Sequence, residues 1–225
     1  MYVIDIEKRD SRYSDTQHFK MLCTTEAKKN EFVEKIKAEM LPQVGTFYKE
    51  TDAGFRYMDE SFGMGKILFV DAHEDATAIT EFRGEHVYLS NFYETPIVFD
   101  GMVYGSVEAA FQAQKCAMPS DRQQFTQLTP SQAKRLGRHV MLRKDWEEVK
   151  DNIMYMLVYS KFISNPELLR LLLATGNRTL VEGNHWRDSY WGVPLDTYIL
   201  AQNHLGNTLS AVRDALRDSG VFVCI

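Results

Sequence analysis

Short alternating apolar runs fill the first 80 residues of this 225-residue chain, and helical spacing takes over afterwards. Tyr2–Ile6 and Phe19–Cys23 alternate as half-buried strands do. From Glu26 to Met40, Phe32, Val33, Ile36 and Met40 fall on one helical face, while lysines and glutamates fill the other. Thr24 or Thr25 is placed to cap that helix. Thr46–Met58 reads as a hairpin around Asp52-Ala53-Gly54, and Lys66–Val70 as a strand after a turn at Gly63-Met64-Gly65. This pattern predicts a small α+β unit over residues 1–80.

Helix signals dominate residues 81–225. Ser106 is a natural N-cap with Glu108 in the first turn, where an acid suits the helix dipole. Thr129-Pro130-Ser131-Gln132 is a capping box, and Gly137 stops that helix. Asp145 with Glu148 repeats the cap logic before Trp146, Val149, Ile153, Met156 and Leu157. Asn165-Pro166 opens a leucine-rich helix that Gly176 closes. Thr179–Glu182 is a short strand candidate. Leu205, Leu209, Val212 and Leu216 mark a last amphipathic helix before the apolar tail Val221–Ile225.

Composition changes this picture little. A net charge of −5 argues against a wholly electrostatic nucleic-acid binder and leaves room for a local basic groove. Cys23, Cys116 and Cys224 are too dispersed for a disulfide framework, which predicts reduced thiols and a cytoplasmic setting. MYVIDIEKRD is too charged for a signal sequence, and no apolar run reaches the roughly 18 residues of a membrane span. No His/Cys spacing resembles a zinc site, and there is neither a Walker loop nor a GxGxxG turn. No metal or cofactor is expected.

Polar, aromatic and glycine residues concentrate between Phe82 and Gly206, as they do around a ligand cleft. On a continuous helix Glu108 and Lys115, seven residues apart, lie within about 20° around the axis and about 10 Å along it. Phe111 and Gln112 sit between them. The stripe is either a buried acid–amide–amine set or an exposed polar face. Asp188-Ser189-Tyr190-Trp191-Gly192 suits ribose hydroxyls and a stacked base, or else a tight loop pinned by two aromatics. Asn203 and Asn207 around Gly206 suit phosphate binding or plain helix capping. Lys134, Arg135, Arg138, Arg143 and Lys144 with His139 form either a phosphate-gripping run or a solvated face.

FRGEHVYLSNFY (Phe82–Tyr93), SVEAAFQAQK (Ser106–Lys115), AKRLGR (Ala133–Arg138), Asp145-Trp146, LLLATGN (Leu171–Asn177), LVEGN (Leu180–Asn184), DxxWG (Asp188–Gly192) and NxLG (Asn203–Gly206) follow one another in order. This ordered set resembles the NADAR, or YbiA-like, family over about residues 80–218. The resemblance implies an α+β fold, a predominantly helical domain with a small sheet over residues 81–225, preceded by the extension 1–80. It implies an N-glycosidase that cuts a ribose C1–N bond without a metal. The substrate is either ADP-ribose on guanine bases of nucleic acid or a phosphoribosylated pyrimidine intermediate of riboflavin synthesis. A module that binds ADP-ribose or a nucleotide without hydrolysis is the alternative.

By that resemblance Glu108 or Asp188 supplies the carboxylate, and Lys115 donates a proton or attacks an opened ribose. Trp191 stacks on a base, and Asn91, Arg143 and Asn203 orient ribose or phosphate. Ser90, Phe92, Phe111, Gln112, Trp146, Glu182, Gly192, Gly206 and Asn207 complete the expected substrate-binding set. Three departures stand out. Pro194 falls where the family often has the second glycine of WGxG, Ala201 where GxNxLG has its first, and Ala109 where His often follows the helix glutamate. Pro194 lacks an N–H, so a phosphate contact there is expected to be lost.

Overall fold

A computed structural model describes residues 1–11, 14–41, 47–59 and 66–219. The predicted turn Gly63–Gly65, the start of the hairpin at Thr46, Cys224 and the tail Val221–Ile225 lie outside the described residues. In chain order the elements are β1 (Tyr2–Arg9), β2 (Gln17–Cys23), α1 (Glu26–Met40), β3 (Phe47–Thr51), β4 (Gly54–Asp59), β5 (Lys66–Glu74), β6 (Glu94–Phe99), β7 (Met102–Ser106) and α2 (Val107–Ala113). There follow α3 (Pro130–Leu136), α4 (Trp146–Ile163), α5 (Pro166–Ala174), β8 (Gly183–Asn184), β9 (Val193–Pro194) and α6 (His204–Asp218). They form two compact units, Met1–Glu81 with Val181–His204, and Phe82–Leu180 with Leu205 onward. The grouping thus does not follow one cut near residue 80, because Val181–His204 clusters with the amino-terminal residues.

The first unit is built on an antiparallel sheet of order β2-β1-β5-β4-β3. Strand alternation sends Ile4, Ile6, Met21 and Cys23 to one face, where Phe32, Val33 and Ile36 of α1 cover them with Phe55, Tyr57, Leu68 and Val70. Thr25 caps α1, its hydroxyl accepting from the Lys28 N–H. Val3 and Leu22 point the other way and are buried with Val181, Val193 and Ala201. The segment Val181–Ala201 therefore packs on the face opposite α1.

The second unit begins with the β6–β7 hairpin, which turns at Asp100 and Gly101, both at positive φ (50° and 73°) as a two-residue hairpin loop requires. Every residue of α2 is buried. Helix α6 buries Leu205, Leu209, Val212 and Leu216. Its Arg213 is buried too, donating from Nη1 to the Thr175 hydroxyl and the Arg178 carbonyl, both at 3.0 Å. Arg217 reaches the Gly176 carbonyl at 2.8 Å and Asn177 Oδ1 at 3.1 Å. The LLLATGN motif thus closes α5, with Gly176 at φ 59°, and clamps α6.

Three local expectations are corrected. The strand expected at Thr179–Glu182 lies instead at Gly183–Asn184, paired in parallel with Val193–Pro194, because its partner is distant in sequence. Asp145 stands before α4 without capping it, since both its oxygens are bound by Arg143. Helix α2 ends at Ala113, so Lys115 sits in the following turn and not on a continuous stripe with Glu108.

Candidate functional site

In the second unit the candidate residues gather around α2. The Ser106 hydroxyl accepts from the Ala109 N–H at 3.0 Å, starting the helix. Glu108 is only 6% exposed, and its Oε1 accepts from Gln112 Nε2 at 2.9 Å. The Glu108 N–H donates to the Asn91 carbonyl at 2.9 Å, tying the SNF turn to the helix. Gly137 comes so close that a Cβ there would collide with the Gln112 side chain, which explains the glycine of AKRLGR. Two buried amide oxygens, Asn91 Oδ1 and Gln112 Oε1, accept no hydrogen bond from the described residues.

Aromatic rings flank this acid–amide pair. Phe111 and Trp146 meet with ring centroids 4.9 Å apart. Lys115 Nζ stands 5.9 Å from the Phe111 ring and 5.7 Å from Trp146, a cation–π distance. Burial lowers the Lys115 pKa from its ordinary value; Glu108 opposes that shift, while Lys134 and Arg138 add to it. Phe92 is exposed and lies under Lys134 Nζ at 5.2 Å. Of the basic run, Lys134 and Arg138 thus act on the site electrostatically, while Arg135, His139 and Lys144 are solvated. Arg143 donates its backbone N–H to the Lys115 carbonyl at 2.9 Å, but its guanidinium is held by Asp145 at 2.6 and 2.8 Å. Of the two residues on α6, Gly206 is buried and Asn207 exposed.

Sequence reasoning missed Lys161. This lysine is 2% exposed and donates from Nζ to the Ser90 carbonyl at 2.8 Å, between the rings of Tyr93 and Phe162. Burial lowers its pKa to about 7. A lysine near the end of an amphipathic helix reads as snorkelling at the surface, so only the three-dimensional neighbours reveal its burial.

In the first unit the remaining candidates form a loop held almost wholly by main-chain bonds. Asp188 Oδ1 accepts from the N–H groups of Tyr190 (3.1 Å) and Trp191 (2.9 Å), while Asn184, fully buried, exchanges two bonds with the Asp188 backbone. A Cβ on Gly192 would run into the Glu182 carbonyl, so the WG pair is dictated by close approach of two chains. Asn203, at φ 53°, accepts from the Glu182 N–H at 3.1 Å, which spends its side-chain oxygen on the loop. His204, a residue that motif reading passed over, stacks on Tyr190 at 4.2 Å and meets Trp191 edge-on at 6.0 Å. Pro194 pairs with Asn184 in β9, where the Val193 and Leu195 N–H groups donate to the Glu182 and Asn184 carbonyls. Its missing N–H costs that ladder nothing.

The described residues contain no cluster of His, Cys, Asp and Glu suited to a metal, and no helix among them is long and apolar enough to cross a membrane. A family model for the NADAR domain matches residues 68–217. The chain belongs to the NADAR domain family. The match starts inside β5, so β1, β2, α1, β3 and β4 precede it. Among NADAR relatives, the N-glycosidase Npun_R5314 of Nostoc punctiforme is 37% identical over 135 residues, 57% of this chain and 85% of the relative. The N-glycosidase YbiA of Escherichia coli is 38% identical over 130 residues, 56% of this chain and 79% of YbiA. A riboflavin biosynthesis protein of Vibrio vulnificus, VVA0006, is 34% identical over 136 residues, and the match spans only 36% of that longer protein. The NMR structure of E. coli YbiA superimposes with a TM-score of 0.56 at 34% identity, covering 65% of this chain and 89% of YbiA. The shared NADAR fold is α+β, with a sheet and several helices.

Proposed function

We propose that this chain is an N-glycosidase that hydrolyses the C1–N bond of a phosphate-bearing ribose, with Glu108 and Lys115 at the reacting centre. The carrying observation is the buried Glu108–Gln112 pair beside Lys115, whose ammonium lies over the rings of Phe111 and Trp146. Residues 81–225 would form the glycosidase domain and residues 1–80 an extension. The substrate is ADP-ribose on a guanine base of nucleic acid or a phosphoribosylated pyrimidine of riboflavin synthesis.

As the C1–N bond breaks, its electron pair leaves with the base nitrogen and positive charge develops on the ribose. The Glu108 carboxylate stabilises that charge and takes a proton from the water that adds to C1. The Lys115 ammonium gives a proton to the departing nitrogen, and proton return from Glu108 restores both groups. We assign the carboxylate role to Glu108 and not Asp188, because Asp188 Oδ1 already accepts two backbone N–H groups. The buried Asn91 amide oxygen, which accepts no hydrogen bond from the described residues, suits a ribose hydroxyl donor.

Burial lowers the Lys115 pKa and so eases loss of its proton. The amine so formed also fits attack on a ring-opened ribose to give a Schiff base with loss of water. Borohydride treatment during turnover would then leave a covalent adduct on Lys115; no adduct leaves the proton-donor role. The proposal is tested on guanine-ADP-ribosylated DNA beside an aminopyrimidine ribose phosphate. Release of the ribosyl product from either supports it and names the substrate. Tight ADP-ribose binding with no cleavage of either would instead make the protein a binding module.

A further inference from the structure

We propose that Lys161 is a positioning residue for the glycosidase reaction: from the last turn of α4 it holds the Ser90–Phe92 turn, and through Asn91 it sets the substrate-facing end of α2. This rests on the reading of Glu108 as the reacting carboxylate. All the residues concerned lie in the second unit.

Packing gives no reason for a lysine at this place. Lys161 is almost wholly buried, and burial is what lowers its pKa, with no carboxylate among the described residues opposing the shift. Its acceptor there is the Ser90 carbonyl at 2.8 Å, and the rings of Tyr93 and Phe162 stand 5.4 and 5.2 Å away. Replacing buried charge by an apolar side chain of similar volume is often neutral or stabilising. The Ser90 carbonyl would not be orphaned by that exchange, because it also accepts from the Tyr93 N–H at 3.1 Å. Methionine would therefore fill the position at no loss to the fold.

The turn that Lys161 grips leads directly to the site. The Ser90 hydroxyl accepts from the Phe92 N–H at 3.1 Å, which closes the turn around Asn91. The Asn91 carbonyl accepts from the Glu108 N–H at 2.9 Å, so one peptide unit and one hydrogen bond separate the acceptor of Lys161 from the first turn of α2. The Asn91 side chain is fastened by the same helix, its Nδ2 donating to Met154 Sδ at 3.3 Å. Met154 and Lys161, seven residues apart, share one face of α4 about 10 Å apart along it. Ser160 ties the same last turn to β6, its hydroxyl donating to the Val98 carbonyl at 3.1 Å. With Nδ2 given to Met154, Asn91 Oδ1 is left buried and accepts nothing from the described residues. Such an acceptor is costly until a donor arrives, and a ribose hydroxyl is one. At its other end α4 starts with Trp146, which meets Phe111 of α2, so one helix backs the α2 cluster from both sides.

The test is a double-mutant cycle of Lys161→Met and Asn91→Ala in the full chain, read as kcat/KM on whichever of the two ribosyl substrates is cleaved. Each single variant is expected to lose about ten-fold, the scale of one buried hydrogen bond. If Lys161 acts through Asn91 the two losses overlap, and the loss in the double variant should be about five-fold smaller than their product. Losses that multiply, or an unchanged kcat/KM in Lys161→Met, overturn the proposal whatever Tm does. Glu108→Gln, measured alongside, separates the two possible failures. If it is slow while Lys161→Met is not, the positioning role is wrong and the reading of Glu108 stands. If Glu108→Gln keeps its rate, that reading fails and the positioning role with it.

Discussion

The α2 cluster and the Asp188–Gly192 loop carry motifs of the same family but are built by opposite means. Around α2, charged and amide side chains are buried next to one another: Glu108 on Gln112, Lys115 beside Trp146, Lys161 on the Ser90 carbonyl. Burial lowers the pKa of Lys115 and of Lys161, and a shifted proton affinity is the property a proton-transfer site needs. In the loop the polar side chains of Asp188, Asn184 and Asn203 are bound to backbone. The comparison teaches that motif residues in one protein divide into those buried side by side and those that hold the backbone.

Four substitutions sharpen that division. Lys115→Ala should have the largest effect, a loss of about 10²–10⁴-fold in kcat with ligand binding kept, as measured by steady-state assay and calorimetry. Gly192→Ala should act on the fold. Its Cβ meets the Glu182 carbonyl, which is backbone and cannot swing away, so a loss of about 1–3 kcal/mol is expected in denaturant melts. Gly137→Ala should behave differently, because its Cβ meets the Gln112 side chain. Displacing that amide from Glu108 should lower kcat about ten-fold, the scale of one hydrogen bond to a charged group, with a smaller change in stability.

The smallest effect expected is the pH dependence of Lys161→Met. The folded pKa of Lys161, about 7, lies below that of a lysine in the unfolded chain. Above pH 7 the unfolded chain therefore binds more protons than the native one, and native stability from this group rises with pH until the ordinary lysine range is reached. Relative to Lys161→Met, the unaltered protein should gain at most about 1.4 kcal/mol per pH unit between pH 7 and 9. Parallel stability curves for the two proteins would show that Lys161 carries no shifted proton.

What the sequence made legible was local. Helix α1 spans Glu26–Met40 with Thr25 as cap, and the caps at Ser106, Thr129 and Asn165 all form, because each is decided by residues three or four positions apart. The errors came where a partner outside the cap pattern decides. Arg143, two positions before Asp145, takes it away from α4, and Val193–Pro194 fixes β8 at Gly183–Asn184, just past the strand expected at Thr179–Glu182. Lys115 left its stripe because α2 unwinds after Ala113, where Cys116 bridges Leu142. Lys161 and His204 had no motif to mark them; only burial against Ser90 and stacking on Tyr190 do so. The place of Glu108 in the first turn of α2 was readable from helix position, whereas the pinned state of Asp188 was not.

The most direct test is the single-turnover rate of Glu108→Gln on the substrate that the unaltered enzyme cleaves. Glutamine keeps an acceptor for Gln112 Nε2 and removes only the charge and the basic oxygen. If Glu108 serves the ribose carbon, the rate falls at least about 100-fold while ADP-ribose or substrate binding stays within a few-fold. A rate within a few-fold of the unaltered enzyme would contradict the account and place the reacting carboxylate outside α2.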